Sequence, residues 1–568
     1  MKGLLSCMIF LCIAGFTFGQ TEERQRPEEW KGLVKGGKFM DLFLPIPPIG
    51  NLTSDTWGTE GVLPRYTDNG IEDGEWSYWG GKIIPGEDGK YHMYVCRWRE
   101  DTPKGHWEWP NSIVVHAVSD SQMGPFRVVG EIGKGHNPEI FKTESGEYVI
   151  YVIDGYYRSA SLNGPWEYGQ FDFDPRDRPI IEGLSNLTFA KREDGSYLMV
   201  CRGGGVWFSK DGLDTYNQVS NSRIYPPVDG RFEDPVVWKD NVQYHLIVND
   251  WLGRIAFYLR SKDGVHWKTD PGEAYMPGIA KYEDGTVEDW FKYERIKIFQ
   301  DDLGRATQAN FAVIDTLKAE DKSNDRHSSK NIGIPLKVGM QLEVLNKKAI
   351  TFSTKQIKVL IKAEKGFDPI TELDFTSLRF GASEEVNFGR GAVVTDFRAK
   401  GSDVEVVFSG VGNGFTKDNF AGKLLGKDLS GKPVFGFSRL PGVEYTTAIL
   451  SAGKPELFLS SGDIITRVEN FGQVKSKNAK LALQLIKNGE TLLSQTVKLP
   501  DLQPFQSAES KFKIPANSAE IVPGEELSFV LTVFSTDGEE VFSGVLEALK
   551  NTNDNNSVGY AEIDEIRQ

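Results

Sequence analysis

Cysteine is scarce in this sequence, and its placement argues against a disulfide framework. The 568 residues contain 4 cysteines, of which Cys7 and Cys12 lie within the first twenty residues or so. Cys96 and Cys201 remain, and no Cys/His spacing is typical of a metal site. The sequence therefore indicates no metal and no cofactor, although a structural or channel-bound calcium ion stays open as an alternative.

Long apolar runs and an excess of positive charge are also missing. The longest apolar run, residues 4–18, is shorter than the roughly 20 residues that a membrane span requires. With Lys2 before it and Gly19 after it, the run predicts a secretory signal peptide over residues 1–19, cleaved near Gly19. We expect a secreted, periplasmic or extracellular protein, with a membrane anchor or lipoprotein as alternatives.

The charge balance bears on the partners. The net charge of −15 argues against a nucleic-acid partner, because phosphate binding requires a surplus of Lys and Arg. No later segment resembles a membrane span, and the sequence leaves the oligomeric state open.

Helical signals are nearly absent, and the composition changes once along the chain. All 13 tryptophans lie at or before Trp290, and residues 317–333 are polar and aperiodic. We expect an all-β chain with an N-terminal segment (20–69) packed on a first domain (70–316) and a linker (317–333). Two Ig-like β-sandwiches (334–452 and 453–548), the second of them adhesion-like, and a flexible tail (549–568) would follow.

The first domain contains a divergent repeat. Residues 119–126, SDSQMGPF, return as residues 159–166, SASLNGPW, and SKDG occurs at 209–212 and again at 261–264. Each repeat has the composition of a tight turn between two strands, and two apolar strands joined by a polar turn precede each one. A fifth strand pair near Ile296 and Phe311 lacks a clear outer pair. Units of this kind recurring every ~40 to 50 residues predict a five-bladed β-propeller.

Blade topology selects the candidate site residues. The first strand of a blade lines the central channel and the second runs antiparallel to it, so strand starts and second-strand ends open on one face, the funnel. The strand starts supply Trp79, His136, Asn137, Asn186, Glu233, Asp234, Glu294 and Arg295, and the second strands supply Arg97, Asp154, Arg202, Asp250 and the adjacent Trp251.

The first domain resembles the five-bladed glycoside hydrolases of families 43 and 117. The resemblance covers about residues 70–316 and rests on the EDP motif at 233–235, the DG turns at 88–91 and 194–197, and the two Gly-Pro-aromatic turns. It implies a propeller enzyme that hydrolyses glycosidic bonds. Where family 43 carries its three acids, this chain has residues 79–81 (WGG), 136–138 (HNP) and 185–186 (SN). Family 117, with acids in blades 4 and 5, is the better match, and Asp73 or Glu75 could stand in for a first-blade base.

Asp234 and Glu294 form the predicted acid–base pair, since glycoside hydrolysis requires one protonated and one ionised carboxyl group. His136 could donate a proton or bind a hydroxyl group, and Arg97 with Arg202 would suit a carboxylate or sulfate on the sugar. The other funnel residues would bind substrate. We therefore expect a secreted exo-acting glycoside hydrolase that acts on unusual, anionic polysaccharide fragments. Two alternatives are a non-catalytic glycan-binding propeller and a polysaccharide lyase with His136 as base.

Overall fold

The computed structural model describes residues 24–54, 62–179, 184–515, 521–536 and 538–549. The predicted signal peptide lies outside these residues, as does the predicted tail apart from Leu549. Within these ranges, helix is confined to five short turns: Glu28–Gly32, Phe39–Leu42, Gly105–Asn111, Pro369–Glu372 and Ser383–Val386. None of the helices in the described ranges is long and apolar enough to cross a membrane.

The prediction of an all-β chain with a five-bladed propeller is confirmed. The strands of each blade pair antiparallel and follow chain order from the inside outwards, except for one extra outer strand of blade 3 that precedes the blade in the chain and pairs in parallel. Blade 1 consists of Trp76–Pro85, Tyr91–Arg99, Ile113–Ser119 and Arg127–Lys134; blade 2 of Glu139–Lys142, Tyr148–Val152, Gly155–Ser159 and Glu167–Gly169; blade 3 of Thr188–Lys191, Tyr197–Val200, Val206–Ser209 and Tyr216–Gln218, with Phe173–Asp174 added outside; blade 4 of Phe232–Lys239, Tyr244–Asp250, Ile255–Ser261 and Lys268–Tyr275.

The fifth blade corrects the predicted linker. Its strands are Lys292–Gln300, Ala306–Ile314 and Ser329–Pro335, so the last part of the segment 317–333 is a propeller strand rather than a connection. Ile71 adds a bridge to Asn331 at the outer edge of this strand. The sequence did not predict this strand because a polar loop precedes it and because two of its buried residues, Lys330 and Asn331, are polar.

The repeated turns of blades 1 and 2 have the same local hydrogen bonds, which explains why the sequence repeat is visible. The hydroxyl of Ser119 accepts a hydrogen bond from the N–H of Ser121 at 3.1 Å, and Ser159 accepts one from Ser161 at 3.1 Å. Short hydroxyl side chains satisfy turn N–H groups in this way.

Two further β units follow the propeller. The first is a closed barrel of seven strands: Met340–Val344, Ile357–Ile361, Leu373–Gly381, Ala392–Lys400, Asp403–Phe408, Ala421–Asp428 and Pro433–Arg439. The second is an eight-stranded unit: Leu450–Ala452, Glu456–Phe458, Asp463–Asn470, Lys480–Lys487, Glu490–Lys498, Ser507–Lys513, Glu526–Phe534 and Glu539–Leu549. A small sheet, Leu52–Thr53 with Arg65–Tyr66, precedes the propeller.

Buried arginines join the last unit to blade 3. Arg192 donates a hydrogen bond to the backbone oxygen of Phe471 at 2.7 Å, and Arg178 forms an ion pair with Glu540 at 2.9 Å. Both arginines are buried, so these contacts fix the unit against the propeller rather than leave it on a free tether.

Candidate active site

Five residues, one from each blade, form the floor of the funnel. Gly80, Asn137, Asn186, Asp234 and Arg295 each have a positive φ, between 52° and 65°, near the start of an inner strand. The strand pairing of blades 1, 4 and 5 shifts at this point, as at a β-bulge. This backbone conformation suits glycine and asparagine and strains the other residue types. Its recurrence shows that the floor is built the same way in all five blades.

Hydrogen bonds link the floor residues across the blades. The amide of Asn137 donates to Asn186 at 2.9 Å, and the amide of Asn186 donates to Asp234 at 3.1 Å. Arg295 completes the chain, donating to Asp234 from its guanidinium group at 2.7 Å and from its backbone N–H at 3.0 Å. The Asp234 carboxylate is thus occupied at both oxygens and is 2% exposed, which makes it a fixed partner of Arg295.

Glu233, next to Asp234, has the electrostatics of a proton donor. Its side chain is 24% exposed and accepts a hydrogen bond from Arg202 at 3.3 Å. Burial, together with the charges of Asp234 and Glu294, raises the pKa of Glu233 to about 7 against the opposing effect of Lys318. A carboxyl group in this state still holds a proton near neutral pH.

Glu294, in contrast, is held between ammonium groups. One carboxylate oxygen lies 2.5 Å from Nζ of Lys318, and the other lies 3.7 Å from Nζ of Lys292. Burial lowers the pKa of Lys318, but Glu294 and Glu233 outweigh it and raise that pKa above its usual value. Lys318 falls in the segment predicted as a linker, and no local pattern marks it, because a lysine in a polar loop looks like a solvated one.

His136 lies beside this group as a neutral imidazole. Burial, followed by the charges of Arg295 and Lys318, holds the pKa of His136 well below its usual value. Its Nδ1 lies 2.9 Å from the hydroxyl of Ser112, and its ring packs 4.7 Å from that of Trp109. The imidazole is therefore oriented and uncharged at neutral pH, which allows it to accept a proton or a hydrogen bond.

A second polar layer closes the channel beneath the floor. Glu139 contacts the ammonium group of Lys297 and lies 3.1 Å from that of Lys82 and 3.1 Å from the hydroxyl of Thr188. Burial alone would raise the pKa of Glu139, but the two lysines lower it to about 2. Four blades thus meet at one buried carboxylate, and the funnel ends there.

Two acids predicted at the ends of second strands, Asp250 and Asp154, do not join the cluster of acidic side chains in the funnel. Asp250 is fully buried and accepts hydrogen bonds from Arg24 at 2.8 Å and from the backbone N–H of Arg231 at 3.1 Å, so it ties the N-terminal segment to a turn. Asp154 is exposed, with φ of 77°, in the turn between two strands of blade 2. Both lie at strand ends as predicted, but the Asp250 side chain holds a turn and the Asp154 side chain is exposed.

The tryptophans and arginines predicted to bind substrate differ in their surroundings. Trp79 is 2% exposed, which rules it out as an open stacking surface, and Lys318 lies 4.9 Å from its ring. Trp251 is partly exposed, with Lys292 4.7 Å from its ring. Arg97 stacks on Trp76 at 3.9 Å instead of joining Arg202 at Glu233, so the two arginines contact different groups.

The proposed substitutes for a first-blade base are engaged elsewhere. Asp73 accepts hydrogen bonds from the backbone N–H groups of Glu75 and Trp76 and from the hydroxyl of Tyr78 at 2.5 Å. Glu75 is exposed and pairs with Arg99 at 3.2 Å. Within the described ranges, no group of three or more His, Cys, Asp or Glu side chains is arranged to hold a metal ion.

The sequence matches no protein-family model, and no curated protein matches it. Solved structures similar to the chain include an α-L-arabinofuranosidase from Lactobacillus brevis, with 10% identity over 46% of this chain and 91% of that one and a TM-score of 0.33. A protein titled "Glycoside hydrolase" has 12% identity, covers 82% of this chain and 97% of its own, and gives a TM-score of 0.35. The GH43 BlXynB protein from Bacillus licheniformis has 10% identity, 84% and 96% coverage and a TM-score of 0.28.

Proposed function

We propose that the protein is a secreted glycoside hydrolase in which Glu233 is the general acid and Glu294 the ionised carboxylate. The observation that carries the proposal is the contrast between the two groups: the pKa of Glu233 is raised to about 7, while Glu294 lies against Lys318 and Lys292. Two carboxyl groups in different protonation states are what glycosidic cleavage requires.

The proposed reaction uses the two groups in sequence. Glu233 donates its proton to the oxygen of the leaving sugar as the glycosidic bond breaks. Glu294 supplies the negative charge that activates water or attacks the anomeric carbon. Asp234, which the sequence analysis placed in the pair, instead keeps Arg295 in position, because both of its oxygens already accept hydrogen bonds.

The closed channel favours exo action. The floor residues and the buried Glu139 layer leave the funnel without a through passage for a polysaccharide chain. A terminal sugar could enter and reach Glu233 and Arg202, whose side chains are partly exposed, whereas His136, Asn137 and Arg295 are buried. Cleavage would then release one terminal unit at a time.

The cations near Glu233 support an anionic substrate. Arg202, Lys318 and Lys292 all lie within reach of the carboxylate pair, and Arg202 contacts Glu233 directly. Guanidinium and ammonium groups bind sulfate or carboxylate groups well. The proposal includes export of the protein, which residues 1–19 indicate. An exported protein would encounter such polysaccharides.

One observation favours a second candidate, a polysaccharide lyase. His136 is neutral and could abstract a proton, while Arg202 would neutralise a uronate. Product analysis with purified protein and panels of sulfated and uronic polysaccharides separates the two. New reducing ends without ultraviolet absorption support hydrolysis, absorption from an unsaturated uronate supports the lyase, and binding without either product supports a glycan-binding propeller.

A further inference from the structure

Arg97 lies in a cleft on blade 1, apart from the acidic residues of the funnel. The cleft has a volume of about 400 Å³. Trp76 and Arg97 form one wall, and Arg127 of the outer strand lies on the other side. Because Trp76 starts the inner strand and Arg97 is close to the end of the second strand, the cleft opens on the same face of the propeller as the funnel.

Acidic residues of the cleft are already engaged. Glu72 lies 2.7 Å from Lys330 and 3.2 Å from Arg65, within a buried network. Asp73 accepts two backbone N–H groups and the hydroxyl of Tyr78. Glu75 pairs with Arg99, as described above. These three carboxylates therefore have partners other than the two arginines of the cleft.

Arg97 and Arg127, by contrast, carry charges without a carboxylate partner. No carboxylate of the described residues lies within 4 Å of either guanidinium group. The guanidinium of Arg97 lies 3.9 Å from the centre of the Trp76 ring, and its Nε is buried without a hydrogen-bond partner. Stacking on an indole fixes the plane of the guanidinium group while leaving its edge to donate two parallel hydrogen bonds.

We infer that this cleft is a subsite for the anionic group, a carboxylate or a sulfate, of a polysaccharide chain. The planar edge of Arg97 would bind two oxygens of that group, and Arg127 would add a second charge. Trp76 holds Arg97 in this position, and the guanidinium group of Arg99 also lies 5.2 Å from the centre of its ring. Since the cleft and the funnel open on one face, the cleft would hold a sugar beyond the one being cleaved, and in this respect the inference rests on the proposed function.

Binding measurements test the cleft independently of catalysis. Calorimetry with the full chain carrying Glu233→Gln would compare three chains of equal length: an oligogalacturonate, a sulfated galactan oligosaccharide and an uncharged galactan oligosaccharide. Arg97→Met, added to that protein, should weaken binding of the charged chains about tenfold or more and leave binding of the uncharged one unchanged. The two charged arms show whether carboxylate or sulfate is preferred.

Two further variants complete the test. Arg127→Met, at an exposed position, should weaken charged-chain binding, and Arg158→Met removes an equal charge from an exposed position in the third strand of blade 2 as a control. Equal affinity for charged chains in Arg97→Met, Arg127→Met and the control would overturn the inference, as would equally tight binding of the uncharged chain or no binding of any charged chain. If binding of charged chains depends on Arg97 but the native protein hydrolyses none of them, the inference about the cleft stands and the proposed function is wrong.

Discussion

Arg295 donates two hydrogen bonds to Asp234, one from the backbone N–H at 3.0 Å and one from Nη1 at 2.7 Å, and both residues are buried. The pair joins blade 4 to blade 5 at the funnel floor. It leaves Nε and Nη2 of Arg295 without a hydrogen-bond partner among the residues described. Asp234 therefore acts by fixing the buried Arg295 between blades 4 and 5.

Asp234→Asn should destabilise the protein more than it alters the chemistry. The substitution leaves the buried Arg295 without a counter-charge, and removal of one partner of a buried ion pair costs about 3–5 kcal/mol. We expect a lower melting temperature, together with a higher KM and a kcat within about tenfold of the native value. A loss of kcat at unchanged melting temperature would show instead that Asp234 takes part in proton transfer.

Glu294→Gln should also lower stability, because it leaves the nearby Lys318 without its counter-charge, but its larger effect should be on turnover. The amide keeps the size of the side chain but cannot supply a negative charge, so kcat should fall by roughly 100-fold or more while ligand binding is kept. Calorimetry on the folded variant and steady-state kinetics measure the two quantities. Exposed Glu167→Gln, in the outer strand of blade 2, is a control that should leave both unchanged. Native turnover in Glu294→Gln would remove this residue from the mechanism.

Glu139 should be essential for stability because its carboxylate compensates the charges of the lysines that surround it. Its folded-state pKa of about 2 is below that of an unfolded glutamate, so its stabilising contribution is present above about pH 4.5 and is lost as the pH falls towards 2. Glu139→Gln leaves Lys297 and Lys82 uncompensated and should lower the free energy of unfolding by about 3–5 kcal/mol at pH 7. Denaturant unfolding measures it, and a change below about 1 kcal/mol would contradict the account.

Asp321 should make the protein less stable at alkaline pH. Burial, reinforced by the charge of Glu100, raises the pKa of Asp321 to about 8, and neither carboxyl oxygen has a hydrogen-bond partner. A raised folded-state pKa gives stability that is complete below about pH 4 and is lost as the pH rises to 8, at about 1.4 kcal/mol per unit. Asp321→Asn should flatten the dependence of the melting temperature on pH from 5 to 8. An unchanged slope would contradict this assignment.

The sequence allowed the blades to be predicted because their turns repeat, and Asn137, Asn186, Glu233 and Glu294 lie near the starts of inner strands in the structure. The direction of side chains could not be predicted from the same pattern. A bulge shifts strand register by one residue, and such a shift moves a side chain to the other face of the strand. Arg97 was expected in the funnel but stacks on Trp76, a side-chain contact that the order of the strands does not predict.

Roles within the site depended on long-range contacts. Asp234 and Glu233 are adjacent and both acidic; Arg295 fixes the Asp234 carboxylate, whereas burial and the charges of Asp234 and Glu294 raise the pKa of Glu233. Lys318 reaches Glu294 from a polar loop 24 residues along the chain. No periodicity marks such a residue, since its burial arises only when the loop folds back over the funnel.

The pH dependence of turnover in the native protein and in Glu233→Gln tests the central claim most directly. With Glu233 as the acid, native turnover should fall as the pH rises through about 7, because the proton to be donated is lost. In Glu233→Gln this alkaline limb should disappear, with turnover down roughly 100-fold or more on a natural linkage and much less on an aryl glycoside whose leaving group needs no proton. Full turnover on the natural linkage, or an unchanged alkaline limb in the variant, would contradict the account.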